Sequence, residues 1–165
     1  MSTAIVLPPL KQWAQQHLSS VLKATTDASF NEAFDAFISK NASISLNGKS
    51  VSREAYKAQL QAEQFDEAGA DVQFGGVVDV PSSTIESGVV GLFYTATIAE
   101  NLRIRDAPIE NVITSSLNLV IEEDKSLTPP HFPAGIHGFF GKSPVSAYGR
   151  RVSVVNQILV NARQN

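Results

Sequence analysis

The sequence predicts an α+β fold in which N-terminal helices are followed by about four long strands of an antiparallel sheet. Up to about residue 66 the apolar residues recur mainly at spacings of three and four, which is typical of amphipathic helices. From Ala70 onwards they alternate with polar residues, which is typical of strands. The length of 165 residues suits one core, and we expect 1–165 to form a single domain.

Composition narrows the classes of partner. The net charge is −3 and the pI is about 5.6, so no basic surface indicates nucleic acid. The basic pairs Arg103/Arg105 and Arg150/Arg151 are interpreted as solvated strand ends. The chain has no cysteine and no run of the ~20 apolar residues that a membrane helix needs, and its N-terminal stretch is not expected to act as a signal peptide. We therefore expect a cytoplasmic protein with no membrane partner.

Three helices are expected before the long strands. The Pro8-Pro9 pair suits the first turn of helix one. The apolar positions behind this pair are Leu10, Trp13, Ala14, His17, Leu18, Val21 and Leu22. A capping-box pattern over Ser29–Glu32 predicts the start of helix two, and Ser52 would cap a third helix that ends near Asp66. The apolar stripe of helix two is Phe30, Ala33, Phe34, Phe37 and Ile38.

Turn and bulge signals place the first strands. Ile44–Val51 is predicted to form a small hairpin, because Asn47-Gly48 supplies the positive φ angles of a type I′ turn. The strand from Ala70 contains Gly75-Gly76, which predicts a bulge or a sharp bend. Phe74 lies on the more apolar of the two faces that alternation predicts for this strand.

Gly88–Leu102 and Asn111–Asp124 form the central long hairpin, and Arg150–Arg163 forms the last strand. The pattern does not fix which face of these strands turns inward, because a shift of one residue reverses every side chain. If one face turns inward, its polar residues would converge on an apolar pocket; if outward, they are edge or dimer residues. These residues are Tyr94, Ser116, Asn118 and Asn156.

The segment 125–149 is a long connection rich in proline and glycine, which argues against regular structure. It also contains His131, His137 and Phe139, and its aromatic residues predict that it covers another surface. Two histidines without a third ligand do not make a metal site, so no metal and no cofactor are expected.

The element order resembles the cone-shaped α+β fold of the SnoaL-like and nuclear transport factor two-like superfamily, over roughly Leu10 to Asn161. Three short stretches are similar to that superfamily. Its long fourth-strand region resembles Phe93-Tyr94-Thr95-Ala96-Thr97. Its proline-containing connection resembles Arg105-Asp106-Ala107-Pro108. The acidic turn of its tight hairpin resembles Glu122-Glu123-Asp124-Lys125. The long segment before Arg150 departs from the superfamily, which has a short turn there.

The resemblance implies a curved antiparallel sheet wrapped around the N-terminal helices, a central pocket inside the cone and a homodimer through the other face of the sheet. Our first hypothesis is a binding module for a small apolar or amphipathic ligand, with the 125–149 segment as its lid. The expected ligand-binding residues are Trp13, Phe34, Phe37, Phe74, Ser116, Asn118, Asn156, His131, His137 and Phe139. The second is an isomerase, cyclase or dehydratase that uses His17, or a histidine of the 125–149 segment, together with Tyr94 as catalytic groups. The third is a dimeric interaction domain without a ligand.

Overall fold

The computed structural model describes residues 8–62, 70–82, 87–104, 107–127 and 149–164, and within these it leaves the side chains of 99–109 and 163–164 undescribed. The predicted α+β fold is confirmed. Its elements in chain order are α1 (Leu10–Leu22), α2 (Asp27–Phe37), β1 (Ile38–Leu46), β2 (Lys49–Val51), α3 (Arg53–Ala62), β3 (Ala70–Pro81), β4 (Gly88–Ile104), β5 (Ala107–Glu123) and β6 (Arg150–Gln164).

The described strands form one curved, open sheet in the order β2-β1-β6-β5-β4-β3. Neighbouring strands are antiparallel except for β1 and β6, which run parallel. The four long strands predicted from the sequence are β3 to β6, and the predicted small hairpin is β1-β2, which joins the same sheet. Both strands of the central hairpin are longer than predicted on the side of their connection: β4 ends at Ile104 and β5 begins at Ala107.

The three helices pack against one side of the sheet, which we call the inner face. Alternate residues of the central hairpin point to this side because side chains on a strand alternate between faces. The buried inner-face residues of β4 and β5 are Val90, Leu92, Tyr94, Ala96, Ile98, Ile113, Leu117, Leu119 and Ile121. Together with the apolar stripes of α1 and α2 they form one core cluster.

Two irregularities decide which residues of the flanking strands face outward. The bulge predicted at Gly75-Gly76 is confirmed, since the pairing of β3 with β4 shifts between Phe74 and Gly76. A second shift, at Ser153 of β6, was not predicted: Ile121 pairs with Val152, whereas Val120 pairs with Val154. Beyond these shifts the opposite side of the sheet, the outer face, receives Val78, Val80, Val154, Asn156, Ile158 and Val160.

The β1-β2 turn fastens the hairpin to β6. Asn47 and Gly48 have φ angles of 50° and 78°, which confirms the predicted positive-φ turn. The Asn47 side chain donates to the carbonyl of Leu159 at 3.1 Å and accepts from its N–H at 2.8 Å. The backbone N–H of Asn47 also donates to the carbonyl of Gln157 at 2.9 Å. The side-chain amide thus continues the backbone hydrogen bonding between β1 and β6 past the end of β1.

The predicted cap of α2 is wrong by three residues. The N-cap is Thr26, whose hydroxyl accepts from the Ser29 N–H at 3.1 Å, while the Ser29 hydroxyl accepts from the Thr26 N–H at 3.2 Å. Ser29 is therefore the third helical residue of a capping box and not its start. At the other end α2 stops at Phe37, and Ile38 begins β1.

The expectation that Arg150 and Arg151 are solvated is wrong for Arg150, which is fully buried. Its Nη1 donates to the carbonyl of Pro8 at 2.9 Å, just before α1. Arg151 is half-buried and its Nε donates to the carbonyl of Asp35 at 3.1 Å, in the last turn of α2. The reason is topological: β6 lies inside the sheet, so its first residues meet helices and not solvent.

Candidate functional site

The outer face of β3 to β6 holds the exposed large hydrophobic residues of the described chain. All seven lie on this face, with exposed fractions from 39% to 70%. They are Val78, Val80, Val89, Phe93, Val154, Ile158 and Val160. Contiguous exposed apolar surface of this kind is rare on a monomer and typically marks a contact with another molecule.

Strand register brings these residues into contact as rows. Val80 pairs with Val89, Val89 with Val120, and Val120 with Val154, so one row of valines crosses four strands. Two rows further along, Phe93 pairs with Ser116, and Ser116 pairs with Ile158. The Phe93 ring lies over Gly75, where a Cβ would come within 3.0 Å of it. The apolar residues therefore form one surface and not isolated patches.

Charge is confined to the two ends of the outer face. Glu122 lies beyond the valine row at one end, and Asp71 pairs with Thr97 at the opposite end. The four rows from the valine row to the row of Thr95 and Thr114, both included, have no Asp, Glu, Lys or Arg on the outer face. An uncharged centre with a charged rim is the composition of a protein–protein interface.

The pairing also answers the question of faces that the sequence left open. Ser116, Asn118 and Asn156 all lie on the outer face, and Asn118 is directly opposite Asn156. Both asparagines are exposed. Their assignment to a ligand site stays a prediction, and the ligand it requires would contact the sheet from outside the cone.

Tyr94, by contrast, points inward and belongs to a buried polar network. Gln157 is its centre: the amide nitrogen donates to the Tyr94 hydroxyl at 3.0 Å and to the Ser115 hydroxyl at 2.9 Å. The Tyr56 hydroxyl donates to the amide oxygen of Gln157 at 2.5 Å. All four residues are at least 97% buried. Inside the cone, these polar groups are satisfied by one another.

Sequence reasoning missed three members of this network, Tyr56, Ser115 and Gln157. One signal was available. Ser115 occupies a position that the alternation of β5 assigns to the apolar side, between Ile113 and Leu117. A polar residue at such a position needs a partner, because a buried polar group without a hydrogen bond is costly.

Four of the predicted interior residues are packed with other aromatic rings. Trp13 lies 4.4 Å from His17 and 5.7 Å from Phe37 between ring centroids, and His17 is stacked on Phe37 at 6.0 Å. Phe34 is fully buried, with the Arg53 guanidinium 4.8 Å above its ring. The fifth, Phe74, is half-buried, 6.5 Å from Tyr94. The pairing of His17 with Tyr94 in catalysis stays a prediction.

An open cleft of about 680 Å³ lies beside His17, between α1 and α2. Its lining is mostly small: Ser19, Ser20, Ala24, Thr25, Ser29, Ala33 and Ala36, with Lys23 and Glu32. Burial, and secondarily the positive charge of Arg151, lowers the pKa of His17 to about 4. His17 is therefore neutral at pH 7 and a weak base.

The remaining sequence predictions concern residues that the structure does not place. His131, His137 and Phe139 lie outside the described residues. Within the described ranges no group of three or more His, Cys, Asp or Glu side chains could hold a metal ion. No helix in those ranges is long and apolar enough to cross a membrane.

Helices on the inner face of a curved, open antiparallel sheet define the nuclear transport factor two-like α+β fold, and the chain has this fold. Candida albicans Mtr2 is similar at 12% sequence identity and a TM-score of 0.60, over 94% of this chain and 96% of that one. The C. albicans Mtr2–Mex67 M domain complex is similar at 10% identity and a TM-score of 0.56, over 94% and 96%.

A loop-truncation variant of IdmH is similar at 12% identity and a TM-score of 0.46, over 90% of this chain and 91% of that one. No protein-family model and no curated protein matches the chain. At these identities the two Mtr2 comparisons establish the fold and nothing finer. The resemblance predicted from the sequence is confirmed at that level.

Proposed function

We propose that this chain is a protein-interaction domain that binds a domain of another protein through the outer face of β3 to β6. One observation carries the proposal: all exposed large hydrophobic residues of the described chain lie on this single face, and its centre is uncharged. On β6 the exposed side chains Val154, Ile158 and Val160 are as apolar as the buried ones. A strand that is apolar on both faces is typical of a strand covered on both faces.

The comparisons favour a partner from another protein. Mtr2 shares the fold of this chain and has been solved in a complex with the Mex67 M domain. We therefore commit to a domain of that kind as the occupant of the outer face. The homodimer expected from the sequence is the alternative occupant of the same surface, and the experiment below separates the two.

The interior of the cone supports an interaction role over the ligand-binding role expected from the sequence. Trp13, Phe34 and Phe37 belong to the packed core, and Tyr94 is engaged with Gln157. One observation keeps a small-molecule function as the second candidate: the cleft beside His17 has a volume within the range of ligand pockets. A ligand there would lie between α1 and α2 and away from the outer face.

The test measures the mass of the purified chain by light scattering and native mass spectrometry, alone and with the C. albicans Mex67 M domain. We expect a monomer alone and a 1:1 complex with the M domain. Phe93→Asp should weaken the complex at least about 30-fold, because it puts a charge at the centre of the apolar surface. The control Gln12→Asp adds the same charge on the exposed side of α1 and should have no effect.

Two results would overturn the proposal. One is a wild-type chain that does not bind the M domain, and the other is a Phe93→Asp chain that binds as tightly as the wild type. A dimer of the chain alone that Phe93→Asp dissociates would keep the surface and replace the partner by a second copy. An adduct that is lost on mild activation from a monomer would favour the small-molecule candidate instead.

A further inference from the structure

One row of the outer face is polar although it lies between apolar rows. Asn118 and Asn156 are opposite each other on β5 and β6, with the valine row on one side and the row of Phe93 and Ile158 on the other. They are therefore in the middle of the proposed interface and not on its charged rim.

These two amides make no side-chain hydrogen bond with the described part of the chain, in contrast to the amides of Asn47 and Gln157. The neighbouring residue on β4 is Gly91. A Cβ at this position would lie 3.1 Å from the Asn118 Oδ1 and 3.3 Å from a Val78 methyl group. The glycine thus leaves room for the Asn118 amide and keeps its oxygen accessible from outside.

A docked partner changes the energetics of this row. In the free chain water can satisfy both amides. When a partner covers the face, each amide must find a new hydrogen bond or remain buried without one, and an unsatisfied buried group weakens binding more than a missing contact does. An all-apolar sheet docked on this face would leave up to two amides unsatisfied.

We infer that Asn118 and Asn156 select the partner of this face. They accept a surface that places hydrogen-bonding side chains, such as Asn, Gln, Ser or Thr, opposite this row, and they reject a wholly apolar one. The same pair fixes how the two surfaces are aligned, as a single buried asparagine does in a coiled coil. The inference rests on the proposed function, since it concerns the same surface.

The test uses isothermal titration calorimetry with the C. albicans Mex67 M domain. The double variant Asn118→Val/Asn156→Val should bind at least about tenfold more weakly than the wild type, because the partner's polar groups lose their bonds. It should also self-associate in light scattering, because its outer face is now apolar throughout. Asn31→Val, which removes an exposed amide from α2 on the other side of the sheet, should bind like the wild type.

Gly91→Ala is a second variant that keeps both amides but crowds Asn118. It should also weaken binding while the melting temperature stays near that of the wild type. Binding by the double valine variant that equals or exceeds the wild type would overturn the inference, even if Phe93→Asp abolishes the complex. If Phe93→Asp leaves the complex intact, the proposed function fails and this inference fails with it.

Discussion

Asn156 and Gln157 are neighbours in the sequence with the same functional group, yet they lie on opposite faces of the sheet. Gln157 points inward and makes three hydrogen bonds with Tyr56, Tyr94 and Ser115. Asn156 points outward and makes none with the described chain. The amide of Gln157 is satisfied by described residues of the inner face, whereas the outer face carries apolar and amide groups whose partners the described chain does not supply.

Apolar residues on a strand can therefore serve either folding or binding, depending on the face on which they lie. On the inner face, apolar residues are buried by the chain's own helices, so they contribute to the stability of the isolated chain. On the outer face, residues of the same types stay in water until another molecule arrives. Their contribution should therefore appear in binding and be nearly absent from folding.

The largest expected effect tests the apolar half of this comparison. Leu119→Ala removes a fully buried inner-face side chain and should lower the free energy of unfolding by about 3 kcal/mol. Ile158→Ala removes a side chain that is 62% exposed on the outer face and should cost less than about 1 kcal/mol in the isolated chain. Urea unfolding of both variants measures this. Equal losses would show that the outer face is already covered in the isolated chain.

The polar half of the comparison has a smaller effect and a closely matched control. Gln157→Leu leaves the hydroxyls of Tyr56, Tyr94 and Ser115 without their shared partner and should cost about 2 kcal/mol of unfolding free energy. Asn156→Leu, one residue away, should change it by less than about 0.5 kcal/mol. Chemical denaturation decides. A Gln157→Leu chain as stable as the wild type would mean that the network contributes nothing to folding.

A pH-dependent effect concerns His17, which packs against Trp13 and Phe37. Its pKa is lowered from 6.5 to about 4 in the folded chain, so between these pH values the unfolded state binds more protons. The neutral histidine therefore contributes stability that is present above pH 6.5 and is lost as the pH falls towards 4. The urea midpoint should drop across this range, and His17→Gln should flatten the drop. Asn118→Val should keep the wild-type slope.

Local signals in the sequence predicted much of this architecture. The alternation in Gly88–Leu102 predicted the long strand β4, Asn47-Gly48 predicted the hairpin turn, and Gly75-Gly76 predicted the bulge of β3. Each of these depends on a residue's own conformational preference or on the two-residue period of a strand. Neither requires knowledge of a distant partner.

The features that escaped prediction depend on distant contacts. No glycine marks the register shift at Ser153, so the sequence did not predict it. Because the shift reverses the faces of the residues after it, the outward position of Ile158 and Val160 could not be derived from alternation alone. The parallel pairing of β1 with β6 and the burial of Arg150 follow from the strand order, which the sequence pattern does not contain. For the candidate site, the sequence therefore predicted only that Ser116, Asn118 and Asn156 lie on one of the two faces of the sheet, without deciding which.

The place of β6 inside the sheet also constrains how the chain can be made. β6 is the last of the six described strands to leave the ribosome, yet it lies between β1 and β5, and the Asn47–Leu159 contact spans 112 residues. Until Arg150–Gln164 emerges, β1 and β5 each present an unpaired edge, which is the kind of surface that promotes aggregation. Assembly of the sheet is thus a late, long-range event, and a chain interrupted before β6 would have two open edges where the finished sheet has its centre.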